Sequence, residues 1–106
     1  MRRTIAVVVL VAIVGVAGAL AFAALANERE FDRFMAEGDA AMATDRPFQA
    51  IEAYSGAIAR KPDSVLAHYK RGTVYQAQHE LEDARRDFRS AAVLDPASPA
   101  LLEDGP

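Results

Sequence analysis

The chain has 106 residues, 12 Lys+Arg against 15 Asp+Glu for a net charge of −3, and no cysteine. A disulfide framework, a cysteine-based zinc site, a thiol nucleophile and a lipid-modified cysteine are therefore excluded. Thr4 to Ala26 runs without a charge, amide, proline or histidine, which leaves Asn27 to Pro106 for any folded part. That remainder is too short for a barrel, a doubly wound sheet or a two-domain enzyme. With Arg2 and Arg3 outside it, the remainder is more acidic than the whole chain, so it has no basic footprint for nucleic acid.

The apolar segment comes first. As a helix it reaches about 34 Å, against a hydrocarbon core of about 30 Å. It is apolar all the way round, which argues against a buried helix of a soluble domain. Two fates compete. Arg2 and Arg3 followed by an apolar core suit a secretory signal, and Ala24-Leu25-Ala26 and Ala21-Phe22-Ala23 are formal cleavage sites. The core is longer than that of a typical signal, which favours an uncleaved transmembrane anchor over residues 1–26. The short basic N-terminus favours a cytoplasmic amino end, although Arg29 and Arg33 follow on the other side. The remainder is then expected outside the cytoplasm, in a periplasm or on an outer surface. Gly15/Ala19 and Ala19/Ala23 are small-xxx-small pairs that would allow two anchors to approach.

The remainder repeats itself at one fixed offset. Gly38 falls on Gly72, Ala50 on Ala84, Tyr54 on Phe88, Ala57 on Ala91 and Pro62 on Pro96. Each period predicts two helices. Phe31, Phe34/Met35, Gly38 and Ala41/Met42 recur at helical spacing. Asp45 is the expected cap of the next helix, with Pro47 in its first turn and a stripe of Phe48, Ile51, Tyr54/Ser55 and Ile58. Pro62 ends that run. In the second period, Asp63 or Ser64 caps a helix through Gln78. Leu66, Tyr69 and Thr73 mark one face; Val65, His68, Gly72 and Tyr75 mark another. The last helix is expected from Leu81 to Leu94, with Leu81, Ala84, Phe88 and Ala91/Ala92 inward, and Asp95-Pro96 stops it.

This pattern resembles the tetratricopeptide repeat, whose period of about 34 residues carries W-x2-L-G-x2-Y, A-x3-F and P positions. Phe34, Gly38, Ala50, Tyr54 and Pro62 match in the first period. Gly72, Tyr75, Ala84, Phe88 and Pro96 match in the second, with His68 in the tryptophan place. Glu37 and Arg71 depart from the leucine of the signature, and Ala41 from the tyrosine. The apolar segment and the resemblance together imply an all-α fold: a transmembrane helix, then two helix-turn-helix units over 27–97 (repeat periods about 31–64 and 65–98) as a short α-solenoid, then a tail over 98–106. Two repeats are fewer than the three a solenoid usually needs, so an exposed apolar end is expected, with Leu101 and Leu102 covering part of it.

Catalytic chemistry finds no constellation. His68 and His79 have no thiol or acidic ligands arranged around them. Ser64 and His68 stand at i,i+4, but a cap and a packed histidine explain them better. Arg85, Arg86 and Arg89 alternate with Glu82, Asp83 and Asp87. No enzyme, metal or cofactor is expected. The family resemblance implies instead a concave groove lined by the first helix of each repeat. The matching positions are Asp32, Met35, Asp39 and Met42, then Leu66, Tyr69, Thr73 and Gln76. They suit an apolar or basic segment of a partner protein, although Met35 and Met42 also fit a core role. Met35 and Asp39 stand where the carboxylate clamp of the family's chaperone-binding specialisation needs Lys and Asn, which excludes that specialisation. The expected function is a membrane-anchored protein-interaction module, an adaptor or assembly factor. The alternatives are a self-associating structural membrane protein and a secreted module released by signal cleavage.

Overall fold

The computed structural model describes residues 1–97. Four helices follow one another: α1 (Arg2–Ala43), α2 (Pro47–Arg60), α3 (Val65–Ala77) and α4 (Leu81–Leu94). Leu101 and Leu102, expected to cover the last helix pair, lie outside the described residues. The apolar segment and the first helix of the first pair are not separate elements. They form one 42-residue helix. Nothing between Ala26 and Phe31 breaks it: Asn27-Glu28-Arg29-Glu30 contains no glycine or proline. Its apolar half is exposed throughout, and its second half packs on α2. At 1.5 Å per residue it runs about 63 Å, close to the 68 Å long axis of the molecule.

Two antiparallel hairpins stack side by side: α1 with α2, α3 with α4, and α2 against α3. Their turns repeat the same backbone. Asp45 and His79 hold equivalent places in the two periods and are, among the described residues, the two non-glycine residues with positive φ, at 54° and 61°. Arg46 N–H reaches back to the Ala41 carbonyl at 2.8 Å, and Glu80 N–H to that of Tyr75 at 2.9 Å. These six-to-one bonds satisfy carbonyls that the ending helices leave open. Asp45 thus ends α1 rather than capping α2, whose N-cap is Arg46 without a side-chain bond. Asp and His tolerate this left-handed region better than most residues. Ser64 does cap α3: its Oγ accepts from Ala67 N–H at 3.2 Å.

The core is built largely from alanine. Ala50, Ala57, Ala67 and Ala91 are fully buried, with Val74, Tyr54 and Ala84 almost so. Phe31, Phe34, Ile51 and Ile58 pack around the first-hairpin part of it. Phe48, expected inward, is 75 % exposed. The buried stripe of α2 is centred on Ala50, Ala53/Tyr54 and Ala57, and Phe48 lies about 160° from Ala50 around the helix. Leu81 also departs from expectation. It opens α4 at the turn and stays exposed. Ala67 and Val74 join the cluster of the first hairpin and so tie α3 to it.

The small residues have a specific task. A Cβ on Gly38 would overlap the Tyr54 ring, and one on Gly72 would stand 2.9 Å from the Phe88 ring. In both hairpins the glycine faces the aromatic residue of the following helix. Gly15, by contrast, has open space around it. Gly38→Ala should therefore destabilise the chain by about 1–3 kcal/mol despite its better helix propensity. Denaturant unfolding of the full chain in detergent, with Gly15→Ala as a near-neutral control, measures this.

Candidate functional site

The expected groove positions are carried by α1 and α3. Asp32, Asp39 and Met42 are exposed or partly so on α1, as are Leu66, Thr73 and Gln76 on α3. Tyr69 is half-buried, its ring 5.7 Å from that of Phe88. Thr73 Oγ1 donates to the Tyr69 carbonyl at 2.9 Å. Met35 departs from the set. It is 8 % exposed and belongs to the core cluster, so its side chain is withdrawn from any partner.

Asp39 is the hub of this face. It accepts from the Tyr54 hydroxyl of α2 at 2.6 Å and from Lys70 Nζ of α3 at 2.8 Å. Three helices thus meet at one carboxylate. Burial pushes Asp39 up, but the bonds from Lys70 and Tyr54 outweigh it and hold the carboxyl below its ordinary range. Burial first, then the bond to Asp39, pushes the Tyr54 hydroxyl up. Lys70 offsets the negative charge that a basic peptide would have sought. Asp32 remains an exposed acid on this face; its other positions are neutral polar or apolar.

A second polar cluster lies inside the α3–α4 hairpin; in the sequence, Arg71 and His68 read as departures from a packing pattern and Asp87 as one acid of an alternating charge run. Asp87 is 2 % exposed. Arg71 grips it with two bonds, Nε to Oδ2 at 2.8 Å and Nη2 to Oδ1 at 2.7 Å. Arg71 Nη1 also donates to Ser55 Oγ of α2 at 3.0 Å, joining the two hairpins. The bonds to Asp87 hold the guanidinium above its ordinary pKa against the opposing effect of burial. His68 completes the cluster. Its Nε2 lies 2.9 Å from the Pro62 carbonyl. A carbonyl only accepts, so Nε2 carries the proton. Nδ1 is buried and 3.7 Å from Asp87 Oδ1. Nε2 is bonded to Pro62, and Nδ1 is left without a hydrogen-bond partner in the interior. A signal for the cluster exists in the sequence. Arg71 and Asp87 carry opposite charges at the same separation that brings Gly72 onto Phe88. Among the described residues no group of three His, Asp or Glu is arranged to hold a metal ion.

Residues 65–98 match the family model of the tetratricopeptide repeat. The match covers α3, α4 and the Pro96 that follows them. A search of curated proteins returned no match.

Two expectations follow from the polar groups. Asp87→Ala leaves the partly buried Arg71 guanidinium without its partner and should cost up to about 3 kcal/mol; the double variant Arg71→Leu/Asp87→Leu should cost less than that single change. Equilibrium unfolding of both distinguishes a buried pair from a surface one. The second expectation concerns pH. Asp39 has a folded pKa below its unfolded value of about 4. Its contribution is therefore complete above that value and is lost as pH falls through the folded one. Its side chain is about half exposed, so the effect should stay under about 1 kcal/mol. The difference in stability between the wild type and Asp39→Asn should shrink on acidification below about pH 4.

Proposed function

We propose, on the tetratricopeptide repeat at residues 65–98, that this chain is a membrane-anchored protein-interaction module. The carrying observation is the unbroken helix α1. Its first half is long and apolar enough to cross a membrane, and no residue of that stretch is buried. Its second half is the first helix of the helical array. Tetratricopeptide repeats serve as non-catalytic binding surfaces, and the anchor restricts this one to the membrane plane. The partner is a protein segment laid along the face formed by Asp32, Asp39, Met42, Leu66, Tyr69, Thr73 and Gln76. Apolar contact with Met42 and Leu66, and hydrogen bonding to Thr73 and Gln76, suit a segment of mixed character better than a strongly basic one, because Lys70 already neutralises Asp39.

The amino end is assigned to the cytoplasm from Arg2 and Arg3, and the repeats to the opposite side. Release by cleavage after Ala26 is the competing outcome. It would cut α1 within its helical run, while leaving Asn27 with its bond to the Arg60 carbonyl.

A photo-reactive residue at Thr73, used in cells on the full chain, tests the binding face, and an intact mass of the purified protein tests the anchor. The expected results are one discrete foreign protein captured at Thr73 and a mass that retains residues 1–26. Capture of only a second copy would replace the adaptor reading with self-association. A mass beginning at Asn27 would replace the anchor with a signal.

A further inference from the structure

The geometry points to a second membrane contact, in which the carboxyl end of α4, through Val93 and Leu94, rests in the lipid headgroup layer beside the span. This inference depends on the anchor proposed above. It starts from where the bundle is fixed along α1. Glu28 pairs with Lys61 Nζ at 2.5 Å, Asn27 Nδ2 donates to the Arg60 carbonyl at 3.0 Å, and Lys61 Nζ lies 4.6 Å from the centroid of the Phe31 ring. The α2–α3 loop is therefore level with residues 27–31. Those residues begin immediately after Ala26, the last of the apolar stretch. At 1.5 Å per residue, Glu28 stands about 3 Å and Phe31 about 8 Å beyond Ala26.

The same level continues across the second hairpin. Pro62, next to Lys61, lines one groove together with His68, Ser90, Val93 and Leu94. The helices alternate in direction, so α4 descends to the same end as α2. The internal repeat gives the same placement, since Leu94 corresponds to Arg60, the residue bonded to Asn27. Val93 is 76 % exposed and Leu94 40 % exposed at this edge.

Magnitudes select the occupant. Headgroups add roughly 5–7 Å to each side of the hydrocarbon core. An edge about 3–8 Å beyond Ala26 already lies within or beside that layer. The α4 end is displaced from the α1 axis by about two interhelix spacings, roughly 20 Å. A tilt of about 20°, ordinary for a spanning helix, would lower it by roughly 7 Å. The charge at this edge is balanced: Arg60, Lys61 and Arg89 are met by Glu28, Asp63 and Asp95. The contact is therefore apolar and interfacial, and needs no anionic lipid. Its consequence is a fixed tilt of the span toward α4 and a fixed presentation of the groove above the membrane.

The absence of native cysteine makes the test direct. Full-length chain carrying Val93→Cys, Phe48→Cys or Val14→Cys is labelled with an environment-sensitive fluorophore and reconstituted in phosphatidylcholine vesicles. Quenching by a nitroxide on the lipid is compared with quenching by aqueous iodide. Phe48 is an exposed site at the far end of the bundle, and Val14 lies in mid-span. The expected result is lipid quenching several-fold stronger at Val93 than at Phe48, approaching that at Val14. Strong quenching at Val14 with Val93 equal to Phe48 overturns the second contact and leaves the anchor standing. No lipid quenching at Val14 removes the anchor and this inference with it. Protection of Val93 from both quenchers shows that protein covers the edge, whether a second copy or residues 98–106, and also overturns the lipid contact.

Discussion

An aromatic ring seated against bare glycine backbone sets the spacing of both hairpins. Tyr54 occupies the space a Cβ on Gly38 would need, and Phe88 does the same at Gly72. The side chain lost at glycine is compensated by buried ring area. Helices brought this close leave room between them only for small residues, which accounts for Ala50, Ala57, Ala84 and Ala91 in the core. A core of alanines buries little area per residue, so the fold also leans on polar ties between helices. Asp39 joins α1, α2 and α3; Arg71 joins α2, α3 and α4.

The two polar hubs differ physically. The Asp39 hub is half-exposed, and water screens it, so its main effect is to orient α3 across α1. The Asp87 hub is buried. Its attraction must offset the desolvation of Asp87 and of the partly buried Arg71, and the two-pronged geometry of Arg71 strengthens that attraction. Arg71 stands where the family signature has leucine, so specific hydrogen bonds take the place of apolar packing inside the second hairpin. His68, in the tryptophan place, is held by Pro62 rather than by ring packing.

The continuity of α1 links fold to function. A flexible linker would let the repeats sample many heights and angles above a bilayer. A helix does not: the loop at Lys61 is fixed to Glu28 and Phe31, and every later element inherits that height. The apolar segment, the exposed faces of α1 and α3 and the apolar end of α4 therefore belong to one geometric arrangement. Asp39 and Met42 on α1, and Leu66 and Thr73 on α3, are held at a set distance from the apolar segment.

Much of this was determined by the sequence alone. The apolar stretch is long enough to span, the coincidences from Gly38/Gly72 to Pro62/Pro96 define the helix pairs, and Leu81–Leu94 and the Ser64 cap follow from local periodicity and capping chemistry. Such features depend on residues close in the chain or on a regular period, and a linear reading captures them. Tertiary structure decided the rest. Phe48 lies outside because the buried stripe follows the alanines rather than the largest apolar residues, and that depends on how closely the neighbouring helix approaches. Met35 turns inward because α2 and its Tyr54 cover that face of α1. Asp45 ends a helix instead of beginning one because the six-to-one bond from Arg46 to Ala41 closes the turn. Arg71 and Asp87 become partners only when the hairpin lays α3 against α4, since opposite charges so far apart along the chain do not interact until folding brings them within hydrogen-bond reach.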